Sequence, residues 1–264
     1  MEIAVLSTAI NENAIDRKVI ASTPQLSLEL ATGSGEIVAA QRLRYRVFVE
    51  EMGARATVHS PGREHDYFDP WCEHVIVRDR VSGHVIGTYR LLTSDNARRL
   101  GAFCAEREFD LTRIGHLRRK LLEVGRACVD PAYRTGATAM LLWSGAAKLA
   151  RERGATYFIS CASISMADRG AHAAGVYTQL ARRYLAPSEY RVVPRSPLAA
   201  LANPVVPPWS TPALIKGSLR LGAWISGEPA WDPDFNTADL FLFLPVTRIE
   251  TRYARPLTQD LQAA

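Results

Sequence analysis

The chain has 264 residues, 47% hydrophobic and 22% charged, enough apolar side chain for the core of one large domain or two small ones, which excludes a mostly disordered protein. A net charge of +5, carried by scattered arginines and short clusters at Arg98-Arg99, Arg118-Arg119-Lys120 and Arg182-Arg183, favours anionic partners: nucleic acid, acidic lipid, a phosphate-bearing cofactor or an acidic carrier protein. No uncharged apolar run reaches the roughly 18–20 residues of a spanning helix, and the N-terminal stretch lacks a basic region ahead of an apolar one, so the expected location is cytoplasmic.

In chain order, residues 1–25 show no firm period and are expected to form a loose arm ending near Pro24. Residues 26–32, LSLELAT, alternate like a strand, and Gly33-Ser34-Gly35 leads into a helical pattern, EIVAAQRLRYRVFVEEMG, that stops at Gly53. That G-x-G lacks a third glycine at nucleotide-loop spacing and reads as a plain turn. After a polar loop to about Pro70, EHVIVRD and HVIGTYRLL predict two strands around the Ser82-Gly83 turn, giving an antiparallel meander with the first strand. Residues 94–119 read as short helices and connections, followed by the strand LLEVGRACV. Helices are predicted over 137–153 and 170–185, with the strand TYFISCAS between them. Seven prolines between 187 and 212 predict an extended crossing segment. A helix over 212–225, a turn region and the apolar strand DLFLFLP complete the pattern, and residues 251–264 read as a tail.

The stretch LEVGRACVDPAYRTGATAMLL joins a strand to a turn and a helix start. A helix N-terminus offers unpaired N–H groups and the positive end of the dipole, a cradle for phosphate, although many strand-turn-helix junctions hold no ligand. HSPGREHDYFDPWCEH packs His59, His65, Asp66, Asp69, Cys72, Glu73 and His74 together, but without regular zinc spacing, so no metal is expected and the polar cluster is assigned to loop structure and substrate binding. Cys72, Cys104, Cys128 and Cys161 form no C-x-x-C pair and suit reduced thiols. The apolar strand around Cys128 suggests a packed residue rather than a nucleophile. No nucleic-acid motif and no interleaved aromatic and basic platform occurs, which removes nucleic acid as an expected partner.

VDPAYRTGATAMLL resembles the acyl-donor motif of the GNAT superfamily, V-x-P-x-x-R-x-x-G-x-G/A ahead of a helix: Val129, Pro131 and Arg134 match, while Gly136, Ala137 and Ala139 depart in spacing and type. Arg44, Phe48, Asp66, Asp69, Arg90, Glu123 and Arg126 follow the order and local spacing of the charged site of the acyl-homoserine lactone synthases and N-acyl amino acid synthases, without the tryptophan those synthases carry near position 54. IKGSLRLGAWISGEPAWDPDFNTADLFLFLP, with CEHVIV and RTGATAMLLW, resembles the bacterial L-ornithine N-alpha-acyltransferases over about residues 36–247.

The resemblance implies a single α/β (α+β) domain over 26–250: a GNAT-like mixed central sheet flanked by helices, with a C-terminal extension of helix and strand over 212–247. It implies transfer of a (3-hydroxy)fatty acyl group from acyl carrier protein to the α-amine of L-ornithine. No tightly bound cofactor is implied; the phosphopantetheine arm of the carrier is the donor, with a coenzyme A thioester as the alternative. Val124, Ala127, Cys128, Val129, Arg134, Gly136, Ala137, Thr138 and Ala139 would hold that arm, backbone N–H groups from Val124 to Cys128 serving the oxyanion. Tyr177 resembles the helical tyrosine that protonates the departing thiolate. Glu123 is suited to accept the ammonium proton directly or through water once burial raises its pKa. Asp66 and Asp69 suit a cationic amino acid, with Asp69 also grouped among the catalytic acids, and Arg44 or Arg90 its carboxylate; a structural ion pair is the alternative for each. Arg126 lies on the opposite face of an ideal strand from Glu123 unless a bulge turns it. The apolar stretches 212–225 and 240–244 would shape an acyl tunnel, touch the inner membrane peripherally, or simply pack in the core.

Overall fold

The computed structural model describes residues 18–54, 60–198 and 209–249. One long sheet organises them. In chain order the strands are β1 (Lys18–Ser22), β2 (Leu26–Leu30), β3 (Glu73–Asp79), β4 (Val85–Thr93), β5 (Phe109–Asp110), β6 (Leu121–Val129), β7 (Tyr157–Ser165), β8 (Val193–Pro194), β9 (Trp224–Ile225), β10 (Ala230–Asp232) and β11 (Thr237–Pro245). The main sheet runs β1-β2-β3-β4-β6-β7-β11-β10, with β9 also on β11, while β5 and β8 pair separately. Every pairing is antiparallel except β6 with β7, so the sheet is mixed, as expected.

The helices are α1 (Ser34–Arg44), α2 (Ser94–Leu100), α3 (Gly136–Glu152), α4 (Ala171–Tyr184) and α5 (Ala213–Arg220). The apolar runs VIVR and LFLFL, buried at nearly every position, need cover on both faces. On one face lie α3, α4 and α5: Leu91, Leu122 and Phe158 share a core with α3, and Ala162, Ile164 and Leu240 share one with α4 and α5. On the other, Leu92, Ile159, Phe241 and Phe243 pack against the segment 103–117, and Leu43 of α1, with Val47 just beyond its end, packs onto Cys128. Gly145 lets α3 lie close to β2, because a Cβ there would stand 1.8 Å from Leu28 Cδ2.

Several boundaries differ from the sequence reading. The arm expected over 1–25 includes β1, which pairs with β2 at the sheet edge; residues 1–17 lie outside the described set. The helix expected over 212–225 ends at Arg220, since Gly222 adopts a left-handed φ of 98°, and Trp224–Ile225 joins β11 as β9 instead. The helix before Gly53 begins at Ser34 and widens into a π-turn over Tyr45–Glu51. In the proline-rich crossing, a short 3-10 turn over Ser188–Tyr190 precedes β8 and a bridge between Pro197 and Ala230; residues 199–208 and the tail 251–264 lie outside the described residues.

Candidate active site

The sheet forks at β6 and β7. Each strand has nine residues, yet they pair over three positions only, Leu121 with Tyr157, Leu122 with Phe158 and Glu123 with Ile159. Beyond Glu123, β6 keeps β4 on one side and has no ladder partner on the other, while β7 continues alongside β11. A bulge falls in this free stretch: Thr88 and Arg90 of β4 face Cys128 and Gly125, so two residues of β6 oppose one. Arg126, inside the bulge, takes a φ of 53°. That turn settles the orientation left open by the sequence: Arg126 swings to the face that carries Glu123 and Arg90. There it meets Glu64 Oε1 at 3.0 Å and Asp66 Oδ2 at 3.2 Å. Its guanidinium also lies 4.7 Å from the ring centre of Phe235, in the β10–β11 turn, so a contact spans the open end of the fork. At the closed end a small cavity is lined by Val124, Trp143, Phe158, Ser160, Leu242 and Leu244, among others.

Three arginines and three acids form one network on this face. Arg44, 1% exposed, reaches Glu64 at 2.7 Å and Asp69 at 2.5 Å. Arg90 holds both oxygens of Asp66, at 2.6 and 2.8 Å, and Asp69 Oδ1 at 2.7 Å. Gln41 donates to Asp69 Oδ2 at 3.0 Å. Burial raises the pKa of Asp66, but Arg90 and Arg126 outweigh it and hold the carboxyl well below its ordinary value. Asp69 is likewise lowered, Arg44 and Arg90 overcoming burial. Asp66, Asp69, Arg44 and Arg90, expected to grip an amino acid, thus each have internal partners, and the structural ion pair weighed for them is what the geometry displays. Arg126 is the most exposed of the six, at 25%.

Glu123, 4% exposed, accepts from the Cys104 N–H at 2.6 Å and the Ala105 N–H at 2.7 Å. Burial raises its pKa, opposed by those two N–H groups and by Arg90. A carboxyl kept partly toward its neutral form beside an open strand edge is suited to proton transfer. Tyr177 projects from α4 on the other face, half-buried against the core that includes Ala162 and Ile164 of the open arm of β7, its hydroxyl pKa raised by burial and by Glu228. Cys128 packs on Leu43 and Val47, and burial pushes its thiol up to about 12, which leaves it a poor nucleophile. Phe48 flanks the same cluster.

The proposed donor cradle is exposed. Thr135 caps α3 by accepting from the Thr138 N–H at 3.3 Å, and residues 136, 137 and 139 are open to solvent. Arg134 is paired with Glu51 at 2.7 and 2.6 Å, and its Nε donates to the Val129 carbonyl. In the polar loop, His65 meets Ser60 at 2.9 Å, His74 meets the Asp69 carbonyl at 3.0 Å and Glu73 pairs with Arg153 at 2.8 Å, so these potential ligands serve internal contacts; His59 lies outside the described residues.

Relatives identify the family. The chain is 38% identical to the L-ornithine N(alpha)-acyltransferase of Brucella abortus (strain 2308), over 90% of each chain, and 37% identical to that of Agrobacterium fabrum (strain C58), over 86% of this chain and 83% of that one. It belongs to the L-ornithine N(alpha)-acyltransferase family. Residues 43–144 match the acetyltransferase (GNAT) domain family. The fold is similar to that of FeeM, an N-acyl amino acid synthase from uncultured soil microbes, with a TM-score of 0.52 and 13% identity over 87% of this chain and 94% of that one.

The sequence reading of this family member missed three contributors. Glu64, two residues before Asp66, joins Arg44 to Arg126 and was hidden among the polar residues of its loop. Glu108 and Asp239, 131 positions apart, meet on the Glu123 face next to Cys161, one ligand atom from each of the three lying within 4.8 Å of the others. The signal available was Asp239 itself, an acid within the apolar strand DLFLFLP, which is buried at nearly every position.

Proposed function

We propose that the chain is an N-acyltransferase moving a 3-hydroxylated fatty acyl group from the phosphopantetheine thioester of acyl carrier protein to the α-amine of L-ornithine, giving lyso-ornithine lipid. The fork between β6 and β7 carries this reading, because it leaves main-chain N–H groups of a bulged strand without a ladder partner beside a buried glutamate. An acyl transfer to an amine needs a neutral nitrogen, donors aimed at the developing oxyanion and a proton for the leaving thiolate. Glu123 takes the ammonium proton, backbone N–H groups between Val124 and Cys128 receive the oxyanion, and Tyr177, from the opposite face, protonates the thiolate. Arg126, turned inward by the bulge and the least enclosed member of its network, holds the acceptor carboxylate. The thioester tether runs along Val129 and Arg134 to the first turn of α3 at Gly136, Ala137, Thr138 and Ala139, and the apolar residues Trp143, Phe158 and Leu242 at the fork receive the start of the acyl chain.

The exposed pair Arg182-Arg183 on α4 would meet the acidic carrier. Among the described residues no helix is long and apolar enough to cross a membrane, so a lipid product would leave by peripheral contact at the inner face. Mass spectrometry of lipids from a bacterial host expressing the chain tests the assignment. N-acyl-ornithine with a 3-hydroxyacyl chain is expected; accumulation of acyl-homoserine lactone, or faster turnover of short acyl-coenzyme A than of long acyl-carrier thioester by the purified protein, would overturn it.

A further inference from the structure

Among the described residues, Glu108 and Asp239 lie on the site face with no arginine paired to either of them. Asp239 of β11 is 4% exposed and lies opposite Ser163 of β7. It accepts from Thr237 Oγ1 at 2.9 Å and is also hydrogen-bonded by the Ser163 and Glu108 side chains. Glu108 comes from the segment that follows the Cys104 and Ala105 N–H groups holding Glu123, and its Oε2 is fully enclosed with no hydrogen-bond partner. No ion pair joins either acid to a described arginine, lysine or histidine, and Asp232 adds further negative charge nearby. Two enclosed carboxyls in contact are costly unless a proton or a cation comes between them.

The position is as telling as the charge. Cys161, Ser163 and Asp239 lie beyond Ile159, where β7 has already parted from β6, so the pair borders the open fork on the face that bears Glu123. A protonated amine has three N–H donors, and Glu108, Asp239 and the Cys161 sulfur offer three acceptors within 4.8 Å of one another. A metal ion is a poorer match, since burial and the neighbouring acids keep the Cys161 thiol protonated.

We infer that Glu108 and Asp239 receive the side-chain ammonium of the amino-acid acceptor and so select a diamino acid over a neutral one. This rests on the acylation proposed above, whose α-amine it places at Glu123, at one end of the substrate, with the distal ammonium at the acid pair. When the amine docks, the proton shared by the two carboxyls is released to solvent and the ammonium takes its place, so the net charge of the pocket is the same in both states.

The test compares L-ornithine with L-norvaline, which has the same carbon chain and no distal nitrogen, at saturating acyl-carrier thioester. For the wild type, kcat/KM is expected to favour ornithine by at least about 10-fold, in keeping with loss of a charged hydrogen-bond partner in an enclosed site. Glu108→Gln and Asp239→Asn should each erase most of that preference through a higher ornithine KM. An undiminished ornithine preference in both variants overturns the inference while the acyltransferase reading stands. A wild type that acylates neither amine overturns the acyltransferase reading itself and the inference with it. Stoichiometric metal in the purified wild type, lost in Asp239→Asn, would replace the ammonium by a cation site. Should a variant fail to fold, calorimetry of ornithine binding to the wild type in buffers of different ionisation enthalpy decides: proton release with ornithine and none with norvaline is expected, and no release in either case refutes the pairing.

Discussion

Asp66 and Asp239 lie on the same face of one sheet, yet their surroundings are opposite. Asp66 sits with Glu64 and Asp69 among Arg44, Arg90 and Arg126, three negative charges against three positive, each joined at 2.5–3.2 Å. Asp239 sits with Glu108, whose Oε2 has no hydrogen-bond partner. The first group balances its own charge and ties α1, the 60s loop, β4 and the β6 bulge together, with Arg126 at its most exposed edge. The second has no arginine and holds its two carboxyls together through a shared proton. A fold that neutralises one set of acids with arginines, and leaves another to share a proton beside the fork, distinguishes acids that tie elements together from acids that can exchange that proton for a cation.

The sharpest way to break this contrast is to delete one acid from each set. Asp69→Ala strips the anion shared by two buried arginines and should cost about 3–5 kcal/mol, the usual penalty for orphaning a buried charge. Asp239→Asn removes a like charge from a pocket already too negative, and its stability should be unchanged or higher. Urea denaturation followed by circular dichroism reads both; equal losses would show that the two sets serve the same structural purpose.

A second contrast concerns rate. Glu123→Gln should lower acyl transfer at least 10-fold and up to the roughly 100- to 10,000-fold typical of a lost proton-transfer group. Because Glu123 also accepts two N–H groups, some stability will go too, about 1–3 kcal/mol for a mismatched buried donor. The pH profile separates the roles: wild-type kcat/KM should fall on the acid side as Glu123 protonates, and that limb should vanish in Glu123→Gln. An acid limb that persists assigns proton transfer elsewhere.

Stability against pH gives a third. Asp66 and Asp69 titrate below their ordinary 3.8 in the folded chain, so their contribution is present above that pH and is lost as pH falls beneath it. Glu108 is pushed up to about 9 by burial and by Asp239, from an ordinary 4.5, so its contribution is present below pH 4.5 and drains away as pH rises toward 9. Thermal melts of the ligand-free protein between pH 5 and 9 should therefore decline, and Glu108→Gln should flatten the decline. A wild-type slope that matches the variant's would show Glu108 ionised throughout.

Much of this architecture was legible in the chain. The apolar runs at 73–79, 84–92, 121–129 and 239–245 and the amphipathic stretches at 137–153 and 170–185 gave strands and helices because period and burial agree there. The charged motif around Arg44, Asp66, Asp69, Arg90 and Arg126 was legible as a constellation, since each residue sits on or beside an element whose place in the sheet is clear. Its internal neutrality was not, because pairing between side chains up to 62 positions apart depends on a bulge at Arg126 that no local pattern marks. The meeting of Glu108 with Asp239 was hidden for the same reason: a short connection and a distant strand meet only once the fork is drawn. Propensity also gave way at Trp224–Ile225, where a free edge of β11 recruited the end of a helical pattern into the sheet.

The smallest expected effect tests the least enclosed part of the site. Gly136 opens α3 without a left-handed φ and with nothing within 4 Å of where a Cβ would stand, so the free protein has no need of glycine there. Alanine at this first helical position should leave the stability unchanged or raise it by at most about 0.5–1 kcal/mol, from helix propensity. If the thioester tether lies against this turn, the added methyl occupies its path, and the donor KM should rise several-fold while the ornithine KM stays fixed. Unchanged kinetics for both substrates would move the tether away from α3 and leave the fork alone to hold it. Because the substitution costs the empty protein nothing, any kinetic change it produces belongs to the ligand.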